Sequence, residues 1–113
     1  MHTVEQLPIA LPKDKVATFC RRHHIRKLLL FGSVLREDFT PESDIDFLVE
    51  FLSGAKVTYF DLAQMERELS EMLDGRQIDL RTPAELSPYF RQEVLETAVV
   101  QYVQDWQSNS AKA

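Results

Sequence analysis

Three aspartates and one small turn carry the chemistry that can be read from this chain. Asp44 and Asp46 flank Ile45 at the start of an alternating, apolar stretch that runs from Asp44 to Phe51. Carboxylates at i and i+2 of a strand project from one face, with Cα atoms roughly 6.6 Å apart. So placed they repel, and neither ionises easily if buried. A divalent cation removes that conflict, and an all-oxygen donor set favours Mg²⁺ or Mn²⁺ over zinc. Asp79, between Ile78 and Leu80, faces away from its apolar neighbours in another short stretch. Pairing of adjacent strands would bring it alongside the first two acids. Three carboxylates around two hard cations roughly 3.5–4 Å apart form the two-metal arrangement for in-line attack at phosphorus.

Gly32-Ser33 completes that picture, with ten residues between Ser33 and Asp44. A Gly-Ser turn that leads into a helical start leaves backbone N–H groups and a hydroxyl for the outer phosphates of a nucleotide. Gly32 has no Cβ to hold the backbone away from a ligand. Arg36, one turn on, could add positive charge to the same phosphates.

Each position also has a plainer explanation. Ser33 could cap a helical turn. Asp44 and Asp46 could be solvated residues of an exposed strand face, Asp79 a surface residue beside Arg81, and Arg36 a solvated arginine. Asp is disfavoured in strands, however, so two at the start of an apolar one need a reason. His23-His24 reads as a helix end rather than a metal site, because adjacent helical positions diverge by about 100°. Cys20 falls on an apolar helical face and reads as core.

The elements that must position these groups follow from periodicity. Val16, Phe19, Cys20 and His23 fall at helical spacing and predict a helix over 13–24. Residues 25–31 read as a strand, and Leu28-Leu29-Leu30-Phe31, apolar on both faces, marks it as central. A short helical turn is expected over 34–38, and a loop around Pro41 over 39–43. A strand follows over 44–51, with Ile45, Phe47, Val49 and Phe51 on one face and Asp44, Asp46, Leu48 and Glu50 on the other. Thr58 can cap a helix to Leu73, stopped by Gly75. A short strand over 77–81 and a helix from Ser87-Pro88 to about Thr97 come next. Residues 98–103 fit a helix or a strand, with a strand favoured; Val99, Val100, Tyr102, Val103 and Trp106 could dock a partner or simply pack on the domain.

This order makes an α/β (α+β) domain in which a small mixed sheet is flanked by helices. The expected division is a lead-in over 1–12, one domain over 13–104 and a flexible tail over 105–113. Hydrophobic residues are 44% of the 113, and three Gly with five Pro are too few for a disordered chain. A net charge of −5 repels phosphate backbones and argues against wrapping DNA or RNA. A single cysteine leaves no disulfide framework or zinc ribbon, which suits a reducing cytoplasm. No signal peptide is recognisable, and the longest strongly apolar run, Leu28 to Phe31, is far short of a membrane span.

The stretch Phe31-Gly32-Ser33, ten residues, Asp44-Ile45-Asp46, with Arg36, Pro41 and Ser43 at their common positions and Ile78-Asp79-Leu80 downstream, resembles the minimal nucleotidyltransferases. These are small members of the polymerase-beta-like superfamily, and the resemblance covers about residues 15–103. Proteins of this type are antitoxins encoded beside a HEPN-domain RNase toxin, which they silence by moving AMP from ATP to a tyrosine of the toxin. The resemblance therefore implies ATP as substrate, two Mg²⁺ ions (or Mn²⁺), and a cognate HEPN protein as partner, with no direct nucleic-acid or membrane binding. It implies that Gly32 and Ser33, helped by Arg36, hold the triphosphate. It further implies that Asp44, Asp46 and Asp79 bind the metals and carry catalysis, Asp79 lowering the pKa of the incoming hydroxyl. A domain this small has little room for an acceptor-binding unit, so a partner must present the acceptor. Two rivals stand beside this reading. One is an antitoxin that blocks its toxin by contact alone. The other is a nucleotidyltransferase of small molecules, which carries a separate helical domain that this chain lacks.

Overall fold

The computed structural model describes Ile9, residues 11–35, Thr40 and residues 42–104. Most of the expected lead-in, the whole expected tail with Trp106, and Arg36 lie outside the described residues. So do residues 37–39 and 41.

Helix α1 (Lys13–Arg22) buries Val16, Phe19 and Cys20, and it carries Asp14 in its first turn and Arg21 and Arg22 in its last. Those charges complement the helix dipole at both ends. The helix stops before His24, which takes φ 59° and turns the chain straight into strand β1 (Ile25–Phe31). A 3₁₀ turn over Gly32–Leu35 follows, starting two residues before the expected helical turn. Strand β2 (Ile45–Phe51) runs antiparallel to β1. Helix α2 (Tyr59–Met72) opens on a capping box between Thr58 and Asp61. It carries the chain over to β3 (Ile78–Arg81), which pairs with β2 in parallel. A second 3₁₀ turn, Pro83–Glu85, leads into α3 (Pro88–Thr97), whose Ser87 cap accepts the Phe90 N–H. The ambiguous segment after it is strand β4 (Val99–Val103), paired antiparallel with β1.

The sheet is mixed and four-stranded in the order β3-β2-β1-β4, so β1 is central as its two-sided apolar sequence requires. One face carries the main core, where Phe19, Leu28, Ile45, Phe47, Met65 and Leu69 are fully buried between the sheet and the first two helices. Each such side chain contributes about 1.5–3 kcal/mol on burial. Ile9 and Leu11, within the expected lead-in, pack against this core. Leu29, Phe31, Leu48, Leu86 and Val94 form a second, smaller cluster. Alternation groups Leu48 with the acids, and it is nonetheless fully buried, because α3 lies across that face. No helix among the described residues is long and apolar enough to cross a membrane.

His23 is mostly buried at the C-terminal end of α1. It stacks on Phe19 and lies 3.1 Å from Glu68, which also receives Arg22 and Gln64. Burial pushes the Glu68 carboxyl up, but hydrogen bonds from Arg22, Gln64 and His23 outweigh it and hold Glu68 at about 2. Its folded value lies below the ordinary 4.5, so its contribution is present above that pH and disappears as pH falls toward about 2. Glu68→Gln should therefore lower the melting temperature at pH 6 and make little difference near pH 2, as read by thermal melts across that range. Cys20 is fully buried, and its thiol is pushed up to about 12 by that burial, which makes it an inert core residue.

Candidate active site

Strand register builds the site. Phe31 pairs with Asp46 across β1 and β2, and Asp46 pairs with Asp79 across β2 and β3. Residues paired this way share a face, and neighbouring strands are about 4.8 Å apart. The two acids thus stand side by side, with Phe31 closing the row on the far side. Asp44 lies one residue before β2, exposed, and its carbonyl accepts the Ser33 hydroxyl at 3.1 Å.

Gly32 takes φ +80°, and a Cβ there would come 2.3 Å from Asp46 Oδ2. The glycine is required twice, for its left-handed backbone and for the seat of the carboxylate. The backbone N–H of Ser33 donates to Asp46. The turn's donors, expected to lie open for phosphate, are therefore engaged within the protein in this structure: the N–H with the Asp46 carboxylate and the hydroxyl with the backbone carbonyl of Asp44.

The electrostatics are unbalanced toward negative charge. Burial and the neighbouring Asp79 raise the Asp46 carboxyl above its ordinary range, and Asp44 adds to this, against the pull of the Ser33 N–H and of Arg81. Arg81 is a site residue that sequence reasoning treated only as Asp79's bystander. Its Nε and Nη2 both lie 3.2 Å from Asp79 Oδ2. The available signal was its i+2 spacing from Asp79, which puts both side chains on one face of β3. Both are substantially exposed, so the pair adds less than about 1 kcal/mol to stability. Removing Arg81 should nonetheless be felt by the acids. Arg81→Ala is expected to raise the Asp46 carboxyl further, as read by carboxyl-carbon NMR titration, and to leave the melting temperature nearly unchanged.

Gly32, Asp46, Asp79, Arg81, Ser87 and Phe90 are among the residues that line one cavity of about 350 Å³. Asp44 is not among its lining residues, and the described residues contain no closed cluster of three metal-ligating side chains. The expected gathering of three acids is thus seen as a close pair with Asp44 beside it. The donor set still fits a hard divalent cation: its oxygens are all carboxylate, and the repulsion that raises Asp46 is what such an ion relieves. The expected phosphate helper Arg36 lies outside the described residues.

Residues 13–100 match the nucleotidyltransferase domain family. A Methanocaldococcus jannaschii protein provisionally named a protein adenylyltransferase is 33% identical over 87 residues, which span 77% of this chain and 90% of its own. A solved structure provisionally described as a minimal nucleotidyltransferase is 34% identical, with a TM-score of 0.63 over 76% of this chain and 85% of its own. The solved complex of a tri-AMPylated Shewanella oneidensis HEPN toxin with its MNT antitoxin gives a TM-score of 0.57 at 19% identity, over 86% of this chain and 74% of the matched one. At that identity the likeness is one of fold.

Proposed function

The chain belongs to the nucleotidyltransferase domain family, and on that premise we propose that it is an antitoxin that moves AMP from ATP to a tyrosine hydroxyl of a HEPN-type toxin. The observation that carries this reading is the pairing of Asp46 with Asp79 in one row, with Gly32 pressed against Asp46. The provisional name of the M. jannaschii relative supports the reaction class. The AMP-bearing toxin in complex with an MNT antitoxin supports the kind of acceptor.

Magnesium ions held by Asp44, Asp46 and Asp79 would supply charge neutralisation for the triphosphate and would acidify the incoming hydroxyl. The remaining work falls to the chain. Gly32 lets the triphosphate approach the backbone, and the Ser33 donors turn from the Asp46 carboxylate and the Asp44 carbonyl to the outer phosphates. Asp79 lies on the edge strand β3, where a side chain of another protein can enter. It accepts the hydroxyl proton as that oxygen bonds to the α-phosphorus; the bond from that phosphorus to the bridging oxygen breaks and pyrophosphate leaves. Arg81 keeps Asp79 aimed through its hydrogen bonds to Oδ2. Alignment and fixed charge supply most of the rate. The catalytic unit is residues 13–104, and the setting is the cytoplasm, where ATP and the toxin meet.

The test is intact mass spectrometry of a HEPN protein encoded beside this chain, after incubation with this protein, ATP and Mg²⁺. One or more added AMP groups are expected. An unchanged mass, with the toxin still neutralised, would instead mean inhibition by contact.

A further inference from the structure

We infer that this protein labels itself: Tyr89, in the first turn of α3, takes AMP from ATP at the acid row of its own chain. This rests on the reading of that row as a nucleotidyl-transfer site and goes beyond it, since the acceptor is this chain and not the toxin.

Placement is the first argument. The cavity of about 350 Å³ that holds Asp79 and Arg81 is also lined by Ser87 and Phe90, which stand two residues before and one residue after Tyr89. Tyr89 is therefore on the rim of that cavity, on the side of the proposed base. It is 93% exposed, so no packing confines its ring to one rotamer. Helical side chains tilt toward the helix N-terminus, which directs Tyr89 back over the turn at Ser87. Ser87 lies two residues away, roughly 3 Å along the axis. A tyrosine hydroxyl stands farther than that from its own Cα, so it has the length to pass Ser87 and enter the cavity.

Elimination is the second. The chain has three tyrosines. Tyr102 is paired with Leu28 and packs against the main core, on the sheet face opposite the acids. Tyr59 is 87% exposed, but it opens α2, which begins only after β2 has run from Asp46 to Phe51. That run carries the chain roughly 16 Å toward the other end of the sheet. Ser87 lines the cavity, but its hydroxyl oxygen accepts the Phe90 N–H and caps α3, and AMP on that oxygen would disrupt the cap. Tyr89 has no such duty.

Chemistry is the third. The step needs no co-reactant beyond ATP. The Tyr89 oxygen bonds to the α-phosphorus as its proton passes to Asp79. The bond from that phosphorus to the bridging oxygen breaks, pyrophosphate leaves, and a phosphodiester remains on the ring. An acceptor from another protein uses the same cavity, so self-labelling belongs to the protein without its partner.

The experiment is intact mass spectrometry of the purified protein alone after incubation with ATP and Mg²⁺, followed by peptide mapping. One added AMP, on Tyr89, is expected. Tyr89→Phe should remove it and Tyr59→Phe should keep it. Asp46→Asn should also lose it, because the chain's own site does the labelling. Tyr89→Phe should still modify the HEPN protein encoded beside this chain at the wild-type rate, which shows that the variant folds. Dilution should leave the rate constant of self-labelling unchanged, as a reaction within one molecule requires. AMP on another residue, full labelling of Tyr89→Phe or of Asp46→Asn, or a rate constant that grows in proportion to protein concentration overturns the inference. So does a wild type that stays unlabelled while it modifies the HEPN protein, a result that leaves the reading of the acid row in place. A wild type that modifies neither itself nor the HEPN protein overturns that reading, and the inference with it.

Discussion

Asp46→Asn is expected to reduce AMP transfer by roughly a hundred- to a thousandfold, the usual consequence of removing one well-placed electrostatic group. The substitution keeps the side chain's size and an oxygen for the Ser33 N–H. The row with Asp79 and the seat against Gly32 therefore survive, and what is lost is one negative charge. The readout is AMP incorporation into the toxin, alongside complex formation by size-exclusion chromatography. Lost transfer with an intact complex is the expected result, and transfer at the wild-type rate would remove Asp46 from the chemistry.

The same variant has a stability signature of opposite sign. The folded protein raises the Asp46 carboxyl above its ordinary value near 3.8, through burial first and the Asp79 charge second. The folded state thus binds that proton more tightly than the unfolded chain does. The resulting contribution is complete below the unfolded value and is lost as pH rises through the folded one. At neutral pH the ionised Asp46 weakens the fold, so Asp46→Asn should melt higher than wild type. The gap should close as pH falls below 4. A catalytic group that destabilises its own fold is consistent with a site poised for a cation.

Gly32→Ala is the second large effect. A left-handed backbone costs a residue with Cβ about 1–2 kcal/mol. Gly54 and Gly75 share the conformation, with φ +85° and +83°, but nothing lies within 4 Å of a Cβ at either. Gly54→Ala and Gly75→Ala therefore isolate the backbone effect, and each should lower stability by about that amount with transfer unchanged. Gly32→Ala adds a contact of 2.3 Å with Asp46 Oδ2 and of 3.1 Å with its Cγ, so the carboxylate must move. Transfer is expected to fall by about a hundredfold or more, since a 1 Å misplacement at a reacting centre has effects of that size. Parallel melts and transfer assays of the three variants separate the two contributions. Equal activity in all three would mean that the seat of Asp46 is unimportant.

Much of the molecule was legible because its elements are built by local periodicity. The alternation around Phe47, the helical spacing from Val16 and the Thr58 cap each predict an element within a residue or two of where it lies. Over 98–103 periodicity fits a helix or a strand, and the strand favoured there is the one that hydrogen bonding to β1 builds. Helix α1 ended earlier than its pattern suggested because His24 supplies the turn into β1.

The sequence by itself determined which side chains could act. The Gly-Ser turn, the paired aspartates and the isolated third acid are statements about residue type and short spacing; a strand's two-residue period is what relates Asp44 to Asp46, though Asp44 falls one residue before β2. Tertiary structure alone decided how those parts meet. The parallel pairing that sets Asp79 against Asp46, the closure of Gly32 on a carboxylate and the engagement of the Ser33 donors all join residues distant along the chain. Such contacts depend on strand order, register and the packing of one helix across a sheet, and none of these leaves a periodic trace in the residues they bring together.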